Sequence, residues 1–345
     1  MTYLLAGDVG GTKTLLRLDR AGSVADLGFV KSYHSQAYPS LVAIVTEFIA
    51  AAQTQLGTEI EIESACLGIA GAVINGASYL PNLDWHLNAD GLALALSIPN
   101  FKLINDFTAI GYGITQLRPA DLHTLQPGEP RALAPIAIIG AGTGLGQGLL
   151  VHNDREYQVV ATEGGHADFA ARSTQEFELV QYLCHQKQLD RISNERIISG
   201  SGIVAIYQFL RDTSNLSENP DLATVVKLWE SQPETAVDPA GAISAMAIAK
   251  TDPLAEAAMQ MFFSAYGAEA GNLALRTLPY GGLFIAGGIA TKNIPLIADG
   301  TFLKAFNHKG RVSNLLTDIP VHVILNPQVG LLGAVAQAAR LGVKL

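Results

Sequence analysis

"LLAGDVGGTKTLLRL", residues 4–18, sets Gly7, Gly10 and Gly11 with Asp8, Thr12, Lys13 and Thr14 between two apolar stretches. Glycines crowded with an acid, two threonines and a lysine make a loop able to approach phosphate closely. The kind of loop decides the fold. A P-loop needs glycine directly before its lysine, and here Lys13 follows Thr12. A dinucleotide loop needs G-x-G-x-x-G opening a helix, and that pattern is absent. The run after the loop alternates: Leu16 and Leu18 fall on one face, Arg17 and Asp19 on the other, and Ala21-Gly22 closes it. That period of two is a strand. The stretch therefore reads as strand, glycine turn, strand.

The same design recurs in "IAIIGAGTGLGQGLLV", residues 136–151, where the turn holds Gly140, Gly142 and Gly144. A third glycine site, "GGLFIAGGIATKN", covers residues 281–293, with Leu283 to Ala286 as a buried strand ended by Gly287-Gly288. Any one of these is as well read as a tight hairpin turn. Three together are harder to explain that way. Two similar hairpins about a third of the chain apart suggest an ancient duplication, although the remainder of the halves shows no readable repeat.

With 345 residues, 49% hydrophobic and 15% charged, the chain is globular and long enough for two domains. Its net charge of −9 speaks against a nucleic-acid or membrane-surface partner. A phosphorylated ligand needs only a local nest of N–H groups and is not excluded. The two cysteines, Cys66 and Cys184, form no CxxC or Cys/His pattern, so neither a disulfide framework nor a zinc site is indicated. No basic leader or long apolar run is evident at the start of the chain, and a cytoplasmic protein with reduced thiols is expected.

Along the chain, strands are expected at 3–9, 14–19 and 27–33, then an amphipathic helix from Pro39-Ser40. Two strands come next around Gly71, and "FKLIN" is a short strand ending at Asn105, with a helix from Asp106 or Phe107. "DPLAEAAMQMFFSAYGAEAGNLALRTL" is a long helix, apolar almost all round and so buried. Residues 211–239 read as an extended, polar, helix-poor stretch.

Six segments in order resemble bacterial glucokinase, the ATP-dependent hexokinase-type branch of the sugar kinase, chaperone and actin fold. "GDVGGTKT" resembles the family's first phosphate motif, "GAGTGLG" the second and "GGLFIAGGI" the adenosine motif. "LINDFTAIGYGI", "TEGGHADFA" and "SNERIISGSGIVAIY" resemble its sugar-site segments. The resemblance implies an α/β, two-domain actin-like ATPase (ribonuclease H-like) fold with mixed sheets flanked by helices. A small domain of 1–116 plus 327–345 and a large one of 117–326 are expected, with the ligand in the cleft between them. A zinc-bearing branch of the superfamily has a cysteine-rich motif after its EGGH-like segment. None comes after His166, so zinc is not implied.

The same resemblance assigns residues. Asp106, at a strand-to-helix junction, is the expected base; an N-cap role for it is equally open from local sequence and compatible with catalysis. Asn82, Asn105, Glu163, His166 and Glu195 are expected to hold a sugar, although each also reads as a turn, surface or capping residue. Gly7, Asp8, Val9, Gly10, Gly11 and Thr12, with Gly142, Thr143, Gly144, Gly287 and Gly288, are expected to hold ATP. Asp8 is the expected partner of Mg²⁺ through water.

The implied activity is phosphorylation of the 6-hydroxyl of D-glucose, and the implied assembly a homodimer. A kinase for mannose, glucosamine or an N-acetylated sugar is the alternative. So is a sugar-binding regulator on the same fold, although the first hairpin begins within ten residues of Met1 and leaves no room for a DNA-binding element before it. A chaperone or filament protein would have no use for "INDF" and "EGGH".

Overall fold

The computed structural model describes residues 2–22, 28–153, 155–232 and 237–342. The chain opens with strands β1 (Thr2–Val9), β2 (Lys13–Arg20) and β3 (Phe29–His34), helix α1 (Leu41–Leu56) and strand β4 (Glu61–Ile69). A hairpin of β5 (Ala77–Leu80) and β6 (Trp85–Asn88) comes next, then α2 (Ala89–Leu96), β7 (Asn100–Asn105) and α3 (Asp106–Ile114). These lead into β8 (Leu122–Gln126), β9 (Ile136–Ala141), β10 (Leu145–His152) and β11 (Tyr157–Thr162). Five helices succeed them: α4 (Thr174–Lys187), α5 (Gly200–Thr213), α6 (Pro220–Ser231), α7 (Pro239–Ala249) and α8 (Pro253–Thr277). The chain ends with β12 (Leu283–Ala286), four short helices α9 (Gly288–Lys292), α10 (Ile294–Ile297), α11 (Thr301–Asn307) and α12 (Asn314–Thr317), β13 (Val321–Ile324) and α13 (Val329–Gly342).

Two compact units result. The first is Met1–Asp121, Arg155–Ala161 and Asn326–Leu345; the second is Leu122–Asp154 and Thr162–Leu325. In the first, the sheet runs β3-β2-β1-β4-β7. β1, β2 and β3 form an antiparallel meander, while β1, β4 and β7 are parallel. The start expected for β3 at residue 27 lies outside the described residues. Helix α1 begins where the Ser40 side chain accepts a hydrogen bond from the Ala43 N–H, and ends at Gly57, whose φ is 63°. Its Leu41, Ile44, Val45 and Phe48 are buried in one core with Leu16, Leu18 and Leu67, each such side chain contributing roughly 1.5–3 kcal/mol. Helix α13 packs on α3, β1 and β4, and Ser64 Oγ donates to the Ala338 carbonyl at 2.6 Å.

In the second unit the sheet contains the run β10-β9-β12-β13-β8. β9 and β10 form a hairpin, and β9, β12 and β13 are parallel. The order β10-β9-β12-β13 repeats β2-β1-β4-β7: a hairpin whose first strand lies beside two parallel strands. The duplication suggested by the glycine turns is therefore repeated in strand order. Helix α8 is the buried centre of this unit, with Phe262, Phe263 and Tyr266 almost inaccessible.

The reading of 211–239 as helix-poor is corrected. Helix α5 continues to Thr213, α6 occupies Pro220–Ser231 and α7 opens at Pro239. The Asn219 side chain caps α6 by accepting from the Asp221 N–H, and Pro220 sits at the first helical position. Leu222 and Val226, one turn apart, are its buried face. Proline there removes an N–H that has no helical partner anyway, so it starts this helix instead of breaking it. Residues 233–236 lie outside the described residues.

Candidate active site

In the first unit the glycine turn joins Val9 to Lys13, closed by the Gly10 N–H donating to the Lys13 carbonyl at 2.9 Å. Ser35, which sequence reasoning passed over, holds this turn. Its N–H donates to the Thr12 carbonyl at 2.9 Å, and its hydroxyl to the Gly10 carbonyl at 2.8 Å. With two carbonyls tied back to Ser35, the turn is braced from one side. Gly7 and Val9 lie inside the core: a β-carbon at Gly7 would meet Leu67 and Leu16 at 2.6 and 2.7 Å, and the Val9 side chain is fully buried. Gly7 thus serves packing, and Val9 has only its backbone to offer.

Asn82 stands on the turn between β5 and β6, against Gly11, whose added β-carbon would lie 3.4 Å from the Asn82 amide nitrogen. Asn105 ends β7 and opens α3. Its Oδ1 accepts from the N–H groups of Phe107 at 2.9 Å and Thr108 at 3.2 Å. Its Nδ2 donates to the Gly71 carbonyl at 3.0 Å and to Asp106 Oδ1 at 2.9 Å. Asn105 is therefore the N-cap of α3, and Asp106 is the first residue of that helix. The Asn105 amide is fully engaged, so a sugar hydroxyl would have to displace one of these bonds to reach it.

Asp106 Oδ1 also accepts from the Phe107 N–H at 2.8 Å. Burial pushes the Asp106 carboxyl above the ordinary carboxylate range. The charge of Asp8 adds to that rise, while the Phe107 N–H and the Asn105 amide oppose it. Burial likewise raises Asp8, with the Lys13 ammonium pulling it back. Both acids sit at the carboxyl ends of parallel strands: Asp8 pairs with Gly68 of β4, and Ile69 pairs with Asn105 of β7. Ligands of open α/β sheets bind at that edge.

In the second unit, Glu163, His166 and Glu195 converge. His166 Nε2 lies 3.7 Å from Glu163 Oε2, and its Nδ1 lies 4.0 Å from Glu195 Oε1. The loop carrying Glu163 and His166 is pressed onto β10, where a β-carbon at Gly165 would sit 2.0 Å from the Leu145 carbonyl oxygen. That contact explains a glycine between the acid and the imidazole. The second glycine turn is tied to the same cluster, because the Leu145 N–H donates to Glu195 Oε2 at 3.0 Å. Gly142 N–H closes the turn onto the Gly144 carbonyl at 2.8 Å, and the Gly142 carbonyl accepts from the Gly200 N–H at 2.9 Å. Gly287, with φ of 91°, passes so near the Ala141 carbonyl that a β-carbon would approach its oxygen to 2.3 Å. Gly142, Thr143 and Gly288 then line one cavity of about 740 Å³.

The expected residues thus gather in two groups: Asp8, the Gly10–Thr12 turn, Asn82, Asn105 and Asp106 in the first unit, and Glu163, His166, Glu195, the Gly142–Gly144 turn and Gly287-Gly288 in the second. Ser35 and the Gly71 carbonyl were missed. Both act through backbone contacts between residues distant in sequence, which no local pattern announces.

A family model described as glucokinase matches residues 5–341. A curated glucokinase of Nostoc punctiforme is 53% identical over 346 residues, covering 99% of this chain and 100% of that protein. The Synechocystis glucokinase is 47% identical, covering 97% and 98%. Among solved structures, a glucokinase from an Antarctic psychrotroph superposes with a TM-score of 0.81 at 25% identity, covering 99% of both chains. A ROK family glucokinase from Streptomyces griseus, in complex with glucose and AMPPNP, shares the fold with a TM-score of 0.62 at 20% identity, covering 98% of this chain and 99% of that one. The fold is that of the actin-like sugar kinases, and the chain belongs to the glucokinase family.

Proposed function

We propose that this protein transfers the γ-phosphoryl group of ATP to the 6-hydroxyl of D-glucose, releasing ADP and glucose 6-phosphate. Family membership over nearly the whole chain supports the reaction. The observation that carries the mechanism is the arrangement around Asp106. One oxygen, Oδ1, is anchored by the Phe107 N–H and the Asn105 amide. Oδ2 is left to take the hydroxyl proton as the sugar oxygen attacks phosphorus. A carboxyl raised by burial is, once ionised, a better proton acceptor than an ordinary one.

Both groups of residues are assigned to substrates. Asn82, Asn105, Glu163, His166 and Glu195 orient the hexose, Asn105 chiefly by holding Asp106. The turns at Gly10-Gly11-Thr12 and Gly142-Thr143-Gly144 serve the phosphates, and Gly287-Gly288 the adenosine. Phosphoryl transfer asks little covalent work of the protein, so positioning and electrostatics dominate. Magnesium belongs to this reading. Among the described residues no group of three or more His, Cys, Asp or Glu is placed to hold a metal. The donor set fits an ion carried by phosphate oxygens and water, with Asp8 as its one carboxylate. When bound, it would neutralise charge on the β and γ phosphate oxygens.

Among the described residues no helix is long and apolar enough to cross a membrane. A cytoplasmic homodimer is part of the proposal, and light scattering of the purified protein checks the dimer. The decisive experiment is a coupled ADP-release assay with ATP and Mg²⁺ over glucose, mannose, glucosamine and N-acetylated hexoses. Turnover highest with glucose is the expected result. Faster turnover with another hexose reassigns the substrate, and sugar-independent ADP release removes the kinase reading.

A further inference from the structure

Two glycines separate Glu163 from His166, and the Leu145 carbonyl accounts only for the second, Gly165. Gly164 opens the short turn Gly164–His166, and its φ is not positive, so its backbone does not call for glycine. What excludes a side chain there is Gln147 of β10. A β-carbon at Gly164 would collide with Gln147 Oε1 and lie 2.8 Å from its Cδ, whereas the next atom, Thr162 Oγ1, is 3.3 Å away.

A glutamine amide ordinarily swings aside from such a contact. This one is held. Gln147 is buried, and its Nε2 donates at 2.9 Å to Oε1 of Glu269 on α8, itself only 3% exposed. Glu269 has two further donors: Arg276 Nη1 on Oε1 at 3.3 Å and Asn272 Nδ2 on Oε2 at 3.0 Å. Asn272 is fixed in turn, because Lys309 Nζ donates to its Oδ1 at 2.7 Å. With its nitrogen on the carboxylate, the Gln147 amide cannot be reversed, and its oxygen stays against Gly164. The Gln147 backbone reaches the same loop. Its carbonyl accepts from Thr162 Oγ1 at 3.1 Å, and that hydroxyl accepts from the Gly164 N–H at 3.3 Å.

A buried carboxylate and amide are costly to keep where an apolar pair would fill the same space. Once every partner is in place, however, such a network is rigid. We propose that Gln147 and Glu269 are positioning residues for the sugar. Glu269 locks the Gln147 amide against Gly164, and the locked amide sets the position from which Glu163 and His166 meet the hexose. The inference rests on reading that loop as part of the sugar site, and adds the buried pair that sets its place.

Initial-rate kinetics in both substrates test it. Gly164→Ala and Gln147→Ala should each raise the KM for glucose by about tenfold, the scale of a lost charged hydrogen bond, with the KM for ATP within twofold. In the double variant the alanine methyl enters the space that the amide leaves. Its KM for glucose should therefore fall at least about threefold below that of either single variant, a non-additivity expected only of groups in contact. Glu269→Gln is nearly isosteric and keeps the test open if Gln147→Ala does not fold. It should raise the KM for glucose several-fold and leave that for ATP within twofold. A double variant no better than the worse single one, or KM values for glucose and ATP that rise together, overturns the proposal. Glu163→Gln in the same assay separates the two readings. A raised KM for glucose there, with none in the Gln147 and Glu269 variants, overturns the positioning role and leaves the sugar site standing. No change in any of them overturns both.

Discussion

Glu195 holds the backbone of Leu145: its Oε2 accepts the Leu145 N–H at 3.0 Å, while its Oε1 faces His166 Nδ1 at 4.0 Å. One carboxylate thus faces His166 of the proposed sugar cluster with one oxygen and steadies the second glycine turn with the other. Glu195→Ala should raise the KM for both glucose and ATP, each by about tenfold, the scale of losing a charged hydrogen bond. Glu195→Gln keeps an acceptor for Leu145 and should affect glucose far more than ATP. Initial-rate kinetics in both substrates decide, and an unchanged ATP KM in the alanine variant would show that the turn stands without Glu195.

Asp106→Asn preserves an acceptor for the Phe107 N–H and removes the proposed base. We expect kcat to fall by at least ~10², with glucose affinity within a few-fold. Stability should move the other way. A carboxyl raised above its unfolded value contributes stability that is present below the unfolded pKa and lost as pH rises through the folded one. Once ionised, the crowded Asp106 carboxylate is therefore a liability, and above its folded pKa the Asn variant should melt no lower than the parent. Any advantage should shrink on acidification. Thermal melts at neutral and acid pH test this, and a large drop in melting temperature for the variant at neutral pH contradicts it.

The Asp8 charge is one reason, after burial, that the Asp106 carboxyl is raised. In the parent, kcat/KM should fall on acidification through a pKa above the ordinary aspartate value, because only the ionised base accepts a proton. Asp8→Asn removes the repulsion, so that acid limb should shift to lower pH even as the overall rate drops. A pH–rate profile at saturating Mg²⁺ measures it. A limb that stays in place means the two acids do not sense each other.

Two glycines of the nucleotide motifs should behave differently. Gly142 has open space where a β-carbon would go, whereas Gly287 combines a φ of 91° with the close Ala141 carbonyl. Gly287→Ala should destabilise the fold by about 1–3 kcal/mol or more, and Gly142→Ala by little. Denaturant unfolding gives both values, and equal midpoints would refute the contrast.

Gly11 lies against Asn82, so a bulkier residue presses on a proposed sugar residue as well as on the proposed phosphate turn. Gly11→Val should raise the KM for ATP and for glucose together. A rise in ATP KM alone would place Asn82 outside the sugar site.

Glycine turns, alternation and capping residues act over a few positions, and these made the chain legible before any coordinates. Leu16 and Leu18 against Arg17 and Asp19 marked a strand, and β2 is there. Ser40 before an apolar run marked a helix start, and it caps α1. The apolar girth of residues 252–278 marked a buried helix, and α8 is the core of its unit. The misreading of 211–239 came from weighing polarity over the Asn219-Pro220 start signal. What each side chain bonds to was another matter. From sequence Asn105 read as a turn residue or a sugar ligand, and only the coordinates showed its amide engaged with Gly71, Asp106, Phe107 and Thr108. Ser35 braces Gly10 from 25 residues away, and Glu195 reaches Leu145 across 50. Hydrogen bonds of that kind are made by strands and loops that meet only when the chain has packed. Local preference could name the residue types, and the tertiary structure alone assigned their partners.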